Sequence, residues 1–383
     1  MVKAADVTRG ALKHIAQYGV PSPGATGLFD VGTGPFLDYF EREVMDALIA
    51  QGGATFRIVE GPYRAGKTHL LTLLLERATA KGMAVVYADL SLALRLDDWK
   101  SIVKFVLGNL RWSGARGEAA SVGEITELLG AANPSRVEAL ASARLPHTGF
   151  QRAMVLLASG APLKPEAREL LHAYLRGQPI GAGALRAADK RVAGVKDPLS
   201  QRNADHALRT VLRGLHLLGI PGSLILLDET EQIFQARRAT PTRKEMNAAQ
   251  LMRRLIDGCA TGQYAGVSFV LAVLPGFLEA CSHVNAAVGQ RLRVSRRHEL
   301  HPSWRWPVIQ VADACSARTP EEFLRGAVEV YAAAARALGS VPANLEQHLF
   351  SEGMRVLREN AGQGYRGPLV KALAAQVNSV IGR

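Results

Sequence analysis

Cysteine is almost missing from this chain: 383 residues hold three, Cys259, Cys281 and Cys315. Their odd number, wide spacing and lack of any C-x-x-C pair argue against a disulfide framework and against a zinc site. Long apolar runs are lacking too. The longest, 269–278, contains Pro275 and Gly276 and is too short to cross a bilayer, so no membrane-spanning segment and no membrane partner are expected. Near the start, Lys3, Asp6, Arg9 and Lys13 interrupt any signal-peptide core, which makes the cytoplasm the expected compartment. No internal repeat, low-complexity basic tail, winged-helix module or guanine-reading N-K-x-D pattern stands out.

Acidic residues are the scarcer charge. There are 34 Asp and Glu against 46 Lys and Arg, a formal net charge of +12. Such an excess favours an anionic partner through counterion release, with double-stranded DNA bound without sequence specificity as the expected one. An Arg bias in an Ala- and Gly-rich chain accounts for the same count. Arg237, Arg238, Arg243 and Lys244 form one basic cluster and Arg291, Arg293, Arg296 and Arg297 another, and either also reads as a solvated surface. With 48% hydrophobic residues the chain can bury a sizeable core in two or three domains.

One motif is complete. Gly61-Pro62-Tyr63-Arg64-Ala65-Gly66-Lys67-Thr68 fits G-x-x-x-x-G-K-[ST] at every fixed position, between an apolar strand-like run, 56–60, and a helical run, 69–77. The two glycines let consecutive N–H groups turn inward, and the positive end of the following helix adds to their field. A polyphosphate fits such a nest, with Lys67 reaching the β and γ oxygens and the Thr68 hydroxyl holding Mg²⁺. The second half of the site is expected at Ser223-Leu224-Ile225-Leu226-Leu227-Asp228-Glu229, a buried parallel strand that delivers two acids at its carboxyl end. Asp228 would join the Mg²⁺ shell and Glu229 would orient or deprotonate a water. The reaction class is phosphoryl transfer to water, with ATP as the nucleotide.

The order of elements adds to this. A helix over 5–18 ends near Gly19-Val20-Pro21, a Gly-rich loop runs through Gly34, and a helix from Pro35 to about Ala50 leads into the first strand. A second buried strand follows at 83–90. Residues 97–202 are mostly helical, with breaks at Pro134, Pro146, Pro162 and Pro179, and exceed what a crossover needs, so they read as an insertion. Asn203 is placed to cap a helix that Gly219 ends. A helix over 244–257 and a strand over 266–274 come next, with a weaker last strand expected at 297–300. From Thr319 only helices remain, opened by the capping-box run Thr319-Pro320-Glu321-Glu322 and continued over 343–360 and 366–381.

P-loop, Asp-Glu strand, further strand and helical end, in that order, resemble the AAA+ branch of the P-loop ATPases. More narrowly the chain is similar to the ATP-binding proteins of BREX-type phage-defence systems, the BrxD-like family. The narrower likeness rests on Gly19-Val20-Pro21, the Gly-x-Tyr-x-x-Gly-Lys-Thr-His-Leu-Leu form of the P-loop that includes His69, the run 222–231, Leu251 to Asp257, and Gln290-Arg291-Leu292. The resemblance implies an ASCE-type α/β fold, a parallel sheet between helices with a C-terminal helical lid. Its domains would be 1–34, an N-terminal helix and Gly-rich loop; 35–318, the nucleotide-binding core carrying the 97–202 insertion; and 319–383, the lid. Val31 and Gly32 match a turn that contacts adenine, Arg366 matches a lid arginine that touches the γ-phosphate, and Arg291 matches a finger reaching a neighbour's ATP. A homo-oligomer and other defence-system proteins are the implied partners. Ala272, Val273 and Leu274 depart from the family pattern, because a polar side chain is expected at the end of that strand. Two rival readings share every site residue: a switch that binds ATP without hydrolysing it, and a loader or adaptor of another DNA machine such as a transposon regulator.

Overall fold

Strands buried on both faces of a parallel sheet read as apolar runs, as 84–88, 224–227 and 269–273 do, whereas 54–60 is interrupted by Arg57. The computed structural model describes residues 2–22, 24–90, 94–114, 117–229, 240–292, 303–361 and 364–381. In chain order its strands are β1 (Ala54–Glu60), β2 (Ala84–Asp89), β3 (Trp112–Gly114), β4 (Gly117–Ala119), β5 (Ser223–Asp228), β6 (Val267–Val273) and β7 (Val308–Gln310). Five of them form one sheet in the order β2-β5-β6-β1-β7, every pair parallel, while β3 and β4 make a separate antiparallel hairpin. This is the AAA+ type of α/β fold. Because β6 lies between β1 and β5, the loop after β1 and the acids ending β5 face each other across the carboxyl end of β6.

Alternation along each strand sorts the two faces. Val59, Val85, Leu224, Leu226, Val270 and Ala272 pack with the Lys67–Ala80 helix and the helical segment 34–49. Ile58, Val86, Ile225, Leu227, Phe269 and Leu271 pack on the other side with the Trp99–Asn109, Ala204–Leu218 and Arg243–Ala260 helices. Buried aliphatic side chains of this kind stabilise by about 1.5–3 kcal/mol each. The helix expected from Pro35 to Ala50 changes character at its middle: Gly34–Tyr39 is α-helical, whereas Phe40–Ile49 is a π-helix, closed where the Ala50 N–H donates to the Met45 carbonyl at 2.9 Å.

Among the described residues, 97–202 hold six α-helices, from Trp99–Asn109 to Ala182–Ala188, a 3-10 helix at Lys190–Val192 and the β3-β4 hairpin, and their apolar side chains join the core on the sheet's second face. Pro134 opens the Pro134–Ser142 helix at its first turn instead of breaking one. Asn203 precedes the Ala204–Leu218 helix, but its Oδ1 accepts from the Ser200 N–H (2.7 Å), so it ties down the preceding turn and makes no side-chain cap. Gly219 ends that helix in the left-handed conformation (φ 111°). The strand expected at 297–300 lies outside the described residues; the sheet's last described strand is β7, on the edge beside β1.

A third core joins the two ends of the described chain. Leu12, Ile15, Phe29 and Val31 are buried against Phe323, Leu324, Tyr331, Leu369 and Leu373. The Val2–Tyr18 helix thus packs with the C-terminal helices Pro320–Leu338, Leu345–Glu359 and Arg366–Ile381. The Thr319 hydroxyl accepts from the Glu322 N–H at 3.1 Å, completing the expected capping box.

Candidate functional site

The turn from β1 into the Lys67–Ala80 helix needs its glycines for two different reasons. Gly66 sits at φ 98°, a left-handed conformation that side chains resist. A Cβ on Gly61 would lie 3.0 Å from Val311 Cγ2, so there the constraint is space. Arg64 is also left-handed (φ 62°), its guanidinium 5.4 Å from the ring centroid of the exposed Tyr63. Lys67 is 8% exposed, and its Nζ donates to the carbonyls of Gly61 (3.1 Å) and Pro62 (3.3 Å), across the mouth of its own loop.

Across the sheet, Asp228 is 2% exposed, and both its carboxylate oxygens are engaged. Oδ2 accepts from Thr68 Oγ1 at 2.8 Å and from the Tyr87 hydroxyl at 2.6 Å, while Oδ1 accepts from the Glu229 N–H at 2.9 Å. Burial, and after it the charge of Asp228, push the Tyr87 phenol far above its ordinary range, so it stays a donor. Glu229 lines the same cleft with φ 55°, a conformation that costs a residue with a side chain about 1–3 kcal/mol. Its own N–H donates to Asp228 Oδ1 in this conformation. At the end of β6, Ala272 and Val273 are both wholly buried, so this strand brings no polar side chain to the cleft.

The cleft between sheet and C-terminal helices has a volume of about 530 Å³. Lys67, Thr68 and His69 line one side, and Ile15, Phe29, Val31, Tyr331 and Val370 make an apolar wall on the other. Arg366 lies between them, its Nη1 donating to the Ala65 carbonyl at 3.4 Å and its guanidinium 4.8 Å from the Phe323 ring centroid. His69 Nε2 is 3.9 Å from Asp30 Oδ1. Burial lowers the His69 pKa, Arg366 adds to the lowering, and Asp30 and Glu76 oppose it.

Two of the expected site residues make contacts outside the cleft. Gly32 does not line the cleft; it is left-handed (φ 75°), a Cβ there would lie 2.6 Å from Ser316 Oγ, and its carbonyl accepts from the Ser316 N–H at 2.7 Å. Its work is to let the turn that carries Val31 dock against residues 315–316. Arg291, on the Ala286–Leu292 helix, also lies away from the cleft: it pairs with Asp257, Nη2 to Oδ2 at 3.2 Å, and donates to the Ala287 carbonyl at 3.1 Å. Arg243 and Lys244 are exposed at the start of their helix, while Arg237, Arg238, Arg293, Arg296 and Arg297 lie outside the described residues.

Three contributors escaped sequence reasoning. Tyr87 was visible only as part of an apolar strand, although it has the same parity along its strand as Asp228. Glu76, on the phosphate-loop helix, accepts the backbone N–H groups of Gly24 (3.0 Å), Thr26 (3.0 Å) and Gly27 (3.1 Å), tying the turn before Phe29 and Val31 to that helix. Gln310, at the end of β7, donates to Glu60 Oε2 at 2.6 Å, just before the phosphate loop. No local pattern signals these last two.

The family described as BREX system ATP-binding protein BrxC/D has a model that matches residues 11–120 and 159–373 of the chain. The chain belongs to this family. No curated protein and no solved structure matches it significantly. The BrxC/D match takes in the phosphate loop, Asp228-Glu229 and the C-terminal helices, and leaves out 121–158, the stretch of the Val122–Ala132, Pro134–Ser142 and Thr148–Ala158 helices. As a BrxC/D protein the chain is an ATP-binding protein of BREX phage defence. Among the described residues no group of three or more His, Cys, Asp or Glu side chains could hold a metal ion by itself, and no helix is long and apolar enough to cross a membrane. The donors that are present, the Thr68 hydroxyl and the Asp228 carboxylate, are hard oxygens of the kind Mg²⁺ takes alongside the phosphates of its nucleotide.

Proposed function

We propose that the protein binds Mg-ATP in the cleft between its sheet and its C-terminal helices and hydrolyses it to ADP and phosphate, as a component of a BREX-type system acting on or near double-stranded DNA. The observation that carries this reading is the 2.8 Å bond from Thr68 Oγ1 to Asp228 Oδ2, which joins the phosphate loop to the acidic end of β5. Residues 61–66 and the first N–H groups of the Lys67–Ala80 helix cradle the phosphates. Lys67 turns from its own loop carbonyls to the β and γ oxygens. Thr68 and Asp228 would hold Mg²⁺, which when bound would neutralise phosphate charge. Glu229, one residue beyond Asp228, takes the proton of the attacking water or orients it. Arg366 reaches the γ-phosphate from the lid side, and the apolar wall around Val31 and Phe29 receives the base.

The test is Glu229→Gln: ATP binding should persist while turnover falls at least about tenfold, and equal turnover removes Glu229 from the mechanism. Turnover measured with and without double-stranded DNA over a range of salt tests the polynucleotide partner, whose contribution must fall steeply as salt rises. A second reading has one observation in its favour. Ala272 and Val273 cannot hydrogen-bond a water or a phosphate through their side chains, which suits slow, partner-dependent turnover or a nucleotide-driven assembly switch.

A further inference from the structure

Tyr87 lies in β2, the strand beside β5, and its hydroxyl donates to Asp228. In the β2-β5 register Tyr87 pairs with Leu226 and Asp89 with Asp228, so Tyr87 and Asp228 project from the same face two residues apart. That face carries the Lys67–Ala80 helix and hence Thr68. The ring spans the diagonal between neighbouring strands and sets its hydroxyl 2.6 Å from Asp228 Oδ2, the oxygen that Thr68 also reaches. With the Glu229 N–H on Oδ1, donors then bear on both oxygens, and the carboxylate cannot turn about its Cβ–Cγ bond without breaking at least two hydrogen bonds.

We propose that Tyr87 is a positioning residue that fixes the orientation of the Asp228 carboxylate toward Thr68 and so sets the affinity of the site for a divalent cation. The inference rests on the Mg-ATP reading above and deepens it. Tyr87 does not touch the nucleotide; it acts through Asp228. When the Thr68 hydroxyl turns to the cation, the Tyr87 bond is what keeps Oδ2 from following it or rotating away. Partners of this kind, which hold a metal ligand without touching the metal, change metal affinity by about 10–100-fold when removed. A buried phenol that merely needs an acceptor would show the same contact, and the two roles differ in what they perturb.

The experiment compares the full-length parent with Tyr87→Phe, using Mn²⁺ titrated by electron paramagnetic resonance in the presence of a non-hydrolysable ATP analogue. Nucleotide affinity in EDTA is measured alongside. Positioning predicts Mn²⁺ affinity about tenfold weaker in Tyr87→Phe, with metal-free nucleotide affinity within about twofold of the parent. Mn²⁺ affinity within twofold of the parent overturns the proposal, and so does a parallel loss of metal-free nucleotide binding, which marks a purely structural role. Should the phenylalanine chain fail to fold, Tyr87→His is measured the same way against the same limits. Asp228→Asn separates the two levels of inference: if it loses Mn²⁺ while Tyr87→Phe keeps it, the site stands and the role of Tyr87 falls. If the parent shows no metal-dependent nucleotide binding, both fall.

Discussion

Replacing Glu76 by Gln tests whether the nucleotide cleft is assembled from two distant pieces of chain. Glu76 Oε1 accepts from Gly24 and Thr26, and Oε2 accepts from Gly27, at 3.0, 3.0 and 3.1 Å. Glutamine keeps one carbonyl oxygen and sets an NH₂ where the other oxygen was, so a donor meets the Gly27 N–H. Flipping the amide restores Gly27 and sacrifices the other two. A hydrogen bond to a charged acceptor contributes about 1.5–3 kcal/mol and a neutral one about 1. One bond lost and two weakened would come to about 2.5–7 kcal/mol, and since Gly24 and Gly27 are exposed we halve that to about 1–3.5 kcal/mol. The local quantity to measure is amide exchange over residues 24–29, which should quicken about 5–300-fold because each 1.4 kcal/mol is a factor of ten. Nucleotide affinity should fall with it, since Phe29 and Val31 lose their tether. Exchange within twofold of the parent would refute the tether; fast exchange with unchanged nucleotide binding would refute its link to the cleft.

Two further outcomes follow from the same contacts. Burial is the first cause of the lowered pKa of His69, His147 and His216, so below their ordinary value of about 6.5 the unfolded chain binds protons that the folded one refuses. Stability should therefore fall as pH drops from 7 toward 5, by at most about 1.4 kcal/mol per pH unit for each histidine, and His69→Gln should flatten the urea-midpoint profile; an unchanged slope in that variant would show that His69 titrates normally. If Arg291 serves a neighbouring copy's ATP, mixing Lys67→Ala with Arg291→Ala chains should restore part of the turnover that each has lost alone, whereas full activity of an isolated monomer would leave Arg291 to its pairing with Asp257.

What could be read from sequence was the chemistry whose parts are close in the chain or carried by long apolar strands. Gly61 to Thr68 declares itself over eight positions, and β5 announces Asp228 by the apolar run before it. The β3-β4 hairpin and β7 were missed because three-residue strands are too short to show a period, and in β7 the preceding Trp306-Pro307 reads as a loop. Glu76, Tyr87 and Gln310 meet partners 49 to 52, 141 and 250 residues away, and only the sheet register and the turn at 24–29 bring them together. The left-handed backbone of Glu229 has no sequence signal, since glutamate there is unremarkable by composition. Gly32 is legible as a glycine in a Gly-rich turn, but the reason for a glycine there, the Ser316 side chain beside it, comes from residues far along the chain.

The shared core of the Val2–Tyr18 helix and the C-terminal helices also has a consequence for how the chain comes off the ribosome. Leu12, Ile15, Phe29 and Val31 find their covering side chains among residues 323–377. During synthesis those first apolar residues must wait, unburied, for some 300 positions to be added, at about 5–20 residues per second. Even once the phosphate loop and Asp228 are both made, about 5–30 seconds more pass before Tyr331 and Val370 complete the wall facing them. A nascent chain therefore cannot close its nucleotide cleft until its last helices emerge, and any truncation that removes them leaves an exposed apolar helix at the opposite end.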